Sequence, residues 1–175
     1  MAPRRPCGGS PGEPSAPPAR PLRRHRARRF ADRRARGRAS ARVGAVTAVL
    51  DSWAVLSYLE NTEPAATVVA GLLDGERPLM SWINLGEVHC VIRRSHGEDD
   101  AMEAVRDLRD VIDVRLPDER LVLEAARLKA DHPMAYADAF GAALAIAEGA
   151  TLWTGDPELL MDGSPWRWHD LRERR

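Results

Sequence analysis

The chain has 175 residues, 44% of them apolar, which suits one ordinary globular domain with an appendage. A formal net charge of zero hides an asymmetry: residues 1–44 hold 13 Arg against Glu13 and Asp32, a net +11, while the other 131 residues hold 13 basic and 24 acidic groups, a net −11. Cys7 and Cys90 are too few and too far apart for a disulfide framework and fit a reducing cytoplasm; no apolar run approaches the roughly 18 residues of a membrane span, and no secretory signal core is visible.

Residues 1–44 are rich in Pro, Gly, Ser and Arg, with Phe30 the one aromatic. They carry too little apolar surface to offset the entropy of ordering, so they read as a disordered extension. Three readings stay open for it. It is an RNA-attracting basic arm, a solvated extension, or the product of a start placed upstream of a protein that begins near Val43 or Val46. The third is favoured because the first predicted strand follows at once.

Residues 45–175 read as a single domain. The apolar run Val46-Thr47-Ala48-Val49-Leu50 ends abruptly in Asp51, and a helical pattern with Trp53, Leu56 and Leu59 follows. Ser52 is placed as its cap. This is a buried strand that delivers a carboxylate to its C-terminal tip, where open α/β sheets bind ligands. The alternative is that Asp51 only caps the helix. Pro64 suits the first turn of a second helix whose apolar face is Val68, Val69, Leu72 and Leu73, with Gly75 as its end.

Pro78 to Ser81 is a short strand, and a helix over Ile83 to Arg94 carries Glu87. Gly97 breaks the chain. Ala101, Val105 and Leu108 repeat at helical spacing, and Val111 to Leu116 follows as a third strand. Leu121, Ala125 and Leu128 mark a helix that ends at His132-Pro133. Asp138 opens another, Ala139 to Glu148, apolar on every side and stopped by Gly149. Ala150 to Thr154 is a fourth strand, turned by Gly155-Asp156-Pro157, and Trp166 to Leu171 is a candidate fifth. Strands alternating with helices predict an α/β fold of three layers, α/β/α, around a central parallel sheet of four to five strands.

Four carboxylates stand out. Asp51 and Asp156 each follow an apolar strand. Asp138 is the one acid in the stretch Met134 to Ala147, where a buried carboxylate needs a partner: helix amides or a cation. Glu87 sits among Trp82, Ile83, Leu85, Val88 and Val91, and reads equally as a surface Glu on an amphipathic helix. Together they describe an acidic pocket. Mutual repulsion there would raise at least one pKa unless a divalent cation neutralised the charge, and all-oxygen ligands select Mg²⁺ or Mn²⁺. Such a pocket suits phosphodiester hydrolysis.

The pieces VLDS at Asp51, NLGE at Glu87, YADAF at Asp138 and TGD at Asp156 resemble the PIN domain, and in particular toxin ribonucleases of the VapC type. The resemblance spans about Val46 to Arg172. It implies Asp51, Glu87, Asp138 and Asp156 as metal ligands or water activators, with Ser52 and Thr154 as hydroxyls supporting them. It also implies an RNA substrate, a homodimer, a cognate antitoxin protein that blocks the site, and Mg²⁺ as cofactor, with Mn²⁺ as substitute. A rival within the same fold is a binder of RNA or protein that does not cleave.

Other chemistries fare worse. There is no GxxxxGK[ST] and no Gly-rich dinucleotide turn. Asp51-Ser52-Trp53 lacks the second Asp of aspartyl-phosphate phosphatases. The five His show no zinc spacing with the cysteines. Trp53, Trp82 and Trp153 flank the strand tips, and core packing is the commoner role there than base stacking. Arg93, Arg94 and Arg106 are phosphate-holding candidates, although a solvated face is the commoner explanation.

Overall fold

The computed structural model describes residues 47–75 and 77–173. The extension read at residues 1–44 lies outside them. Within them the elements follow the order β1 Ala48–Leu50, α1 Ser52–Glu60, α2 Ala65–Gly75, β2 Leu79–Ser81, α3 Trp82–His96 and α4 Glu98–Val111. There follow β3 Asp113–Arg115, α5 Glu119–Asp131, α6 Tyr136–Ala147, β4 Thr151–Thr154 and β5 Arg167–Asp170.

All strand pairings are parallel, in the order β3-β2-β1-β4-β5. Alternation along β1 explains the layers. Leu50 points to one face, into a core with Val55 of α1, Val69 of α2, Val88 of α3 and Leu108 of α4. Val49 points to the other, among Leu128 of α5 and Phe140 and Leu144 of α6. The sheet is therefore covered on both faces, as a parallel sheet of short apolar strands must be. No helix among the described residues is long and apolar enough to cross a membrane.

The strand order fixes where a site can form. From β1 the chain steps outward to β2 and β3, then returns to lay β4 on the other flank of β1. A crevice opens beyond the C-terminal ends of β1 and β4, where the connections depart in opposite directions. Val49 is in register with Leu152, and Leu50 with Trp153. Asp51 and Thr154, next in each strand, therefore stand side by side at that edge.

Two local readings are corrected. Ser52 does not cap α1: it is the first helical residue, and Asp51 is the cap, its side chain accepting the Ala54 N–H. Asp138 does not open the sixth helix either. That helix begins at Tyr136, which places Asp138 third, where its carboxylate reaches back to the Ala135 N–H at 3.3 Å. In both cases the nearest free helix amides decide which oxygen caps.

Candidate active site

Asp51 leaves the tip of the central strand and is fully buried. Its Oδ1 accepts the Ala54 N–H at 2.8 Å and its Oδ2 the Thr154 hydroxyl at 2.5 Å. Thr154, also fully buried, accepts in turn the Asp156 N–H at 2.9 Å. One hydroxyl therefore ties the β1 carboxylate to the loop that carries the β4 carboxylate. Ser52 donates to the Asn84 carbonyl at 3.1 Å, joining α1 to α3.

Close packing holds the same loop from the side. A Cβ on Gly155 would lie 2.3 Å from the Trp53 ring. Only glycine lets the indole close down on the backbone between Thr154 and Asp156. The other two tryptophans at the strand tips also spend their rings on the protein. Trp82 lies under the Arg109 guanidinium at 5.2 Å, and Trp153 packs on His169 at 4.1 Å. All three are partly buried and pack against the core.

Asp138 is 7% exposed, at the start of the wholly buried face of α6. Glu87 is half-buried in the second turn of α3, and Asp156 half-buried just past β4. Neighbouring charges bear on the two buried acids. Asp51 is pushed up to about 7, first by burial, with the charges of Asp138 and Asp156 adding to it and the bonds from Thr154 and Ala54 opposing it. Asp138 is pushed up to about 6, again first by burial, then by Asp156 and Glu87. Repulsion contributes as the sequence led one to expect, and loss of water is the larger cause.

The four sequence-predicted carboxylates thus lie in one neighbourhood, linked through the charge effects on Asp51 and Asp138, and none has an ion pair with Lys or Arg among the described residues. Among those residues no three His, Cys, Asp or Glu side chains lie close enough together to hold a metal ion as they stand. Arg93 is bound to Glu98, which also lies 3.5 Å from His89, so this end of α3 serves its junction with α4. A groove of about 1000 Å³ between α5 and α6, lined by Leu116, Leu123, Ala143 and Ile146, holds none of the four acids.

Two residues escaped the sequence reading. Glu158 accepts the same Ala135 N–H as Asp138, at 3.1 Å, and its charge bears on Asp138. Asn84 is 0% exposed and bonds to the turn before Asp138. A signal for Asn84 existed: it stands in step with Val88 and Ile92, at intervals of four, on the buried stripe of α3.

A model of the PIN domain family matches residues 48–160, more than half of the chain. Solved structures share the fold. VapBC-1 from nontypeable Haemophilus influenzae is 24% identical with a TM-score of 0.57, the match covering 73% of this chain and 99% of that one. DNA-bound VapBC from Salmonella typhimurium is 16% identical with a TM-score of 0.59, over 73% of this chain and 99% of that one. VapC20 of Mycobacterium tuberculosis, described as a sarcin-ricin loop cleaving toxin, is 18% identical with a TM-score of 0.54, over 67% and 95%. At these identities the likeness is one of fold. A comparison with curated proteins gives no match. The family match settles the membership: the chain belongs to the PIN domain family.

Proposed function

Because the chain is a PIN-domain protein, we propose that it is a Mg²⁺-dependent endoribonuclease and the toxin of a toxin–antitoxin pair. The observation that supports this reading is that buried Asp51 and Asp138 lie within the field of further acids, Asp156 for both and Glu87 for Asp138, and that none of the four has an ion pair with Lys or Arg among the described residues. Burying carboxylates without a counter-charge is costly unless something supplies one. The donor set fits a hard divalent cation, since it offers only carboxylate oxygens. Asp51, Glu87, Asp138 and Asp156 would hold Mg²⁺ or Mn²⁺. The chemistry such a cation supplies is a lowered pKa for water and an offset to charge on the phosphate.

The chain's own groups do the rest. Ala54 N–H and Thr154 Oγ1–H fix both oxygens of Asp51, so its orientation is set before any ligand arrives. The burial that raises Asp51 and Asp138 also keeps bulk water from screening them. Thr154 is fully buried and Ser52 is committed to Asn84, so neither hydroxyl is placed to attack a substrate. That supports hydrolysis by water over attack by a serine or threonine hydroxyl.

Partners belong to the same reading. Two of the structures with this fold are described as a toxin–antitoxin complex and as a member of a family of toxin–antitoxin systems, which supports a cognate antitoxin for this chain; a homodimer is proposed with it from the family resemblance alone. The second reading, a PIN-fold binder that does not cleave, draws on the carboxylates not converging tightly enough to hold an ion as they stand. The two part on one experiment. Highly purified protein, freed of any bound inhibitor, is given RNA in Mg²⁺ and in EDTA, beside Asp138→Asn. Cleavage in Mg²⁺ alone, reduced about a hundredfold or more by the substitution, supports the nuclease. RNA binding without cleavage in either buffer supports the binder.

A further inference from the structure

We propose that Asn84 is a positioning residue for the acidic site, setting the spacing between the three elements that carry Asp51, Glu87 and Asp138. The inference rests on the nuclease reading and deepens it. Asn84 lies one turn before Glu87 in α3. Its Nδ2 donates to the Ala137 carbonyl at 3.0 Å, and Ala137 directly precedes Asp138. The same Nδ2 lies 3.4 Å from Ser52 Oγ, and Ser52 directly follows Asp51 and donates to the Asn84 carbonyl at 3.1 Å. One fully buried side chain therefore touches the neighbours of two site carboxylates and shares a helix with a third.

The arrangement is directional. Ala137 offers only a carbonyl oxygen, so the amide must present nitrogen to it. That choice leaves Oδ1 buried with no partner. A chain that only filled space here would use an apolar side chain and avoid that cost. The retained amide is explained if its donor hydrogens hold α6 and α1 at a fixed distance from α3. Outer contacts of this kind typically change metal affinity or activity by about 10–100-fold when lost.

The test uses the full chain with Asn84→Ala, and Asn84→Asp as the variant of matching shape that replaces the donor by an acceptor. Mn²⁺ binding is measured by calorimetry, and RNA cleavage as kcat and KM at saturating Mn²⁺. The expected result is a cooperatively folded Asn84→Ala whose Mn²⁺ affinity and kcat each fall at least about tenfold, with KM for RNA little changed. Asn84→Asp should also bind Mn²⁺ more weakly, although an added negative charge by itself would tighten it. A folded variant with affinity and kcat within about twofold of wild type overturns the proposal, as does failure of both variants to fold, since Asn84 would then serve the fold alone. If wild type itself neither binds Mn²⁺ nor cleaves RNA, the nuclease reading falls and this inference with it, an outcome readily told apart from the first two.

Discussion

Asp51 and Asp118 hold the same local post. Each caps a helix from nearly the same backbone conformation, φ/ψ of −89°/−178° and −85°/177°. Each accepts the N–H of the third residue along at 2.8 Å. Their surroundings then separate them. Asp118 is exposed at the start of α5, beside Glu119 and Arg120. Asp51 is buried at the tip of the central strand, bonded to a threonine 103 residues away and within the field of two further acids. A helix cap is a local device, and nothing in it distinguishes structure from chemistry. The place of the preceding strand in the sheet does.

The sharpest way to break that comparison is to remove one charge from each. Asp51→Asn should lower RNA cleavage in Mg²⁺ by about a hundredfold or more, while Asp118→Asn should leave it within about twofold. Equal rates in the two variants would mean that the buried carboxylate is a cap and nothing else.

Next in size is the pH response without metal. Asp51 and Asp138 have folded pKa values above their unfolded ones, about 7 and about 6 against 3.8. Their neutral forms favour the fold, so this contribution is fully present below the unfolded pKa and is lost as pH rises through the folded values. In EDTA the melting temperature should fall between about pH 4 and 7, by a free energy on the order of a few kcal/mol for Asp51. Asp51→Asn should flatten the curve. Mg²⁺ or Mn²⁺ should restore stability near neutral pH by binding only the folded state, about 2.7 kcal/mol at a hundred times the dissociation constant. NaCl at matched ionic strength should restore less.

Smaller effects sharpen the contrast without touching the four site carboxylates. Gly155→Ala places a Cβ 2.3 Å from the Trp53 ring, and the loop or the indole must move. A destabilisation of about 1–3 kcal/mol, read from urea midpoints, is expected. Gly71→Ala in α2, with nothing within 4 Å of the new Cβ, should instead be neutral or stabilising by up to about 1 kcal/mol. Thr154→Val removes the hydroxyl that favours the ionised form of Asp51. The alkaline end of the stability loss in EDTA should move to higher pH; a curve unchanged in position would mean that this bond does not govern the titration. Last, Asp118→Ala should cost only about 1 kcal/mol of stability, the ordinary value of a cap.

Much of this was legible in the residues because the signals were strong and local. Val49-Leu50-Asp51 and Leu152-Trp153-Thr154 are short apolar runs that end where helix or turn residues begin, so the strand tips and their carboxylates could be located. Gly97 and Gly149, at φ of 91° and 60°, end α3 and α6 as the sequence required. What failed was competition among near neighbours. Asp51 and Ser52 are both good caps, and only the helix start one residue earlier decides between them. Glu158 and Asn84 were missed because their roles depend on the approach of segments 23 and 53 residues away. The dominance of burial over repulsion at Asp51 was hidden for the same reason: periodicity says that a strand is buried, not how completely its last residue is enclosed.

The strand order also imposes a timetable. A ribosome releases the chain from its N-terminus at roughly 5–20 residues per second. The partners Asp51 and Thr154 are 103 residues apart, so the first waits on the order of 5–20 s for the second to be made. During that interval β1 lacks the strand that flanks it opposite β2, because β4 has yet to be translated. A nascent chain halted before Thr151 carries Asp51, Glu87 and Asp138 but has no strand to bring Asp156 beside them. A nuclease that needs all four carboxylates would gain its complete site only once synthesis had passed β4.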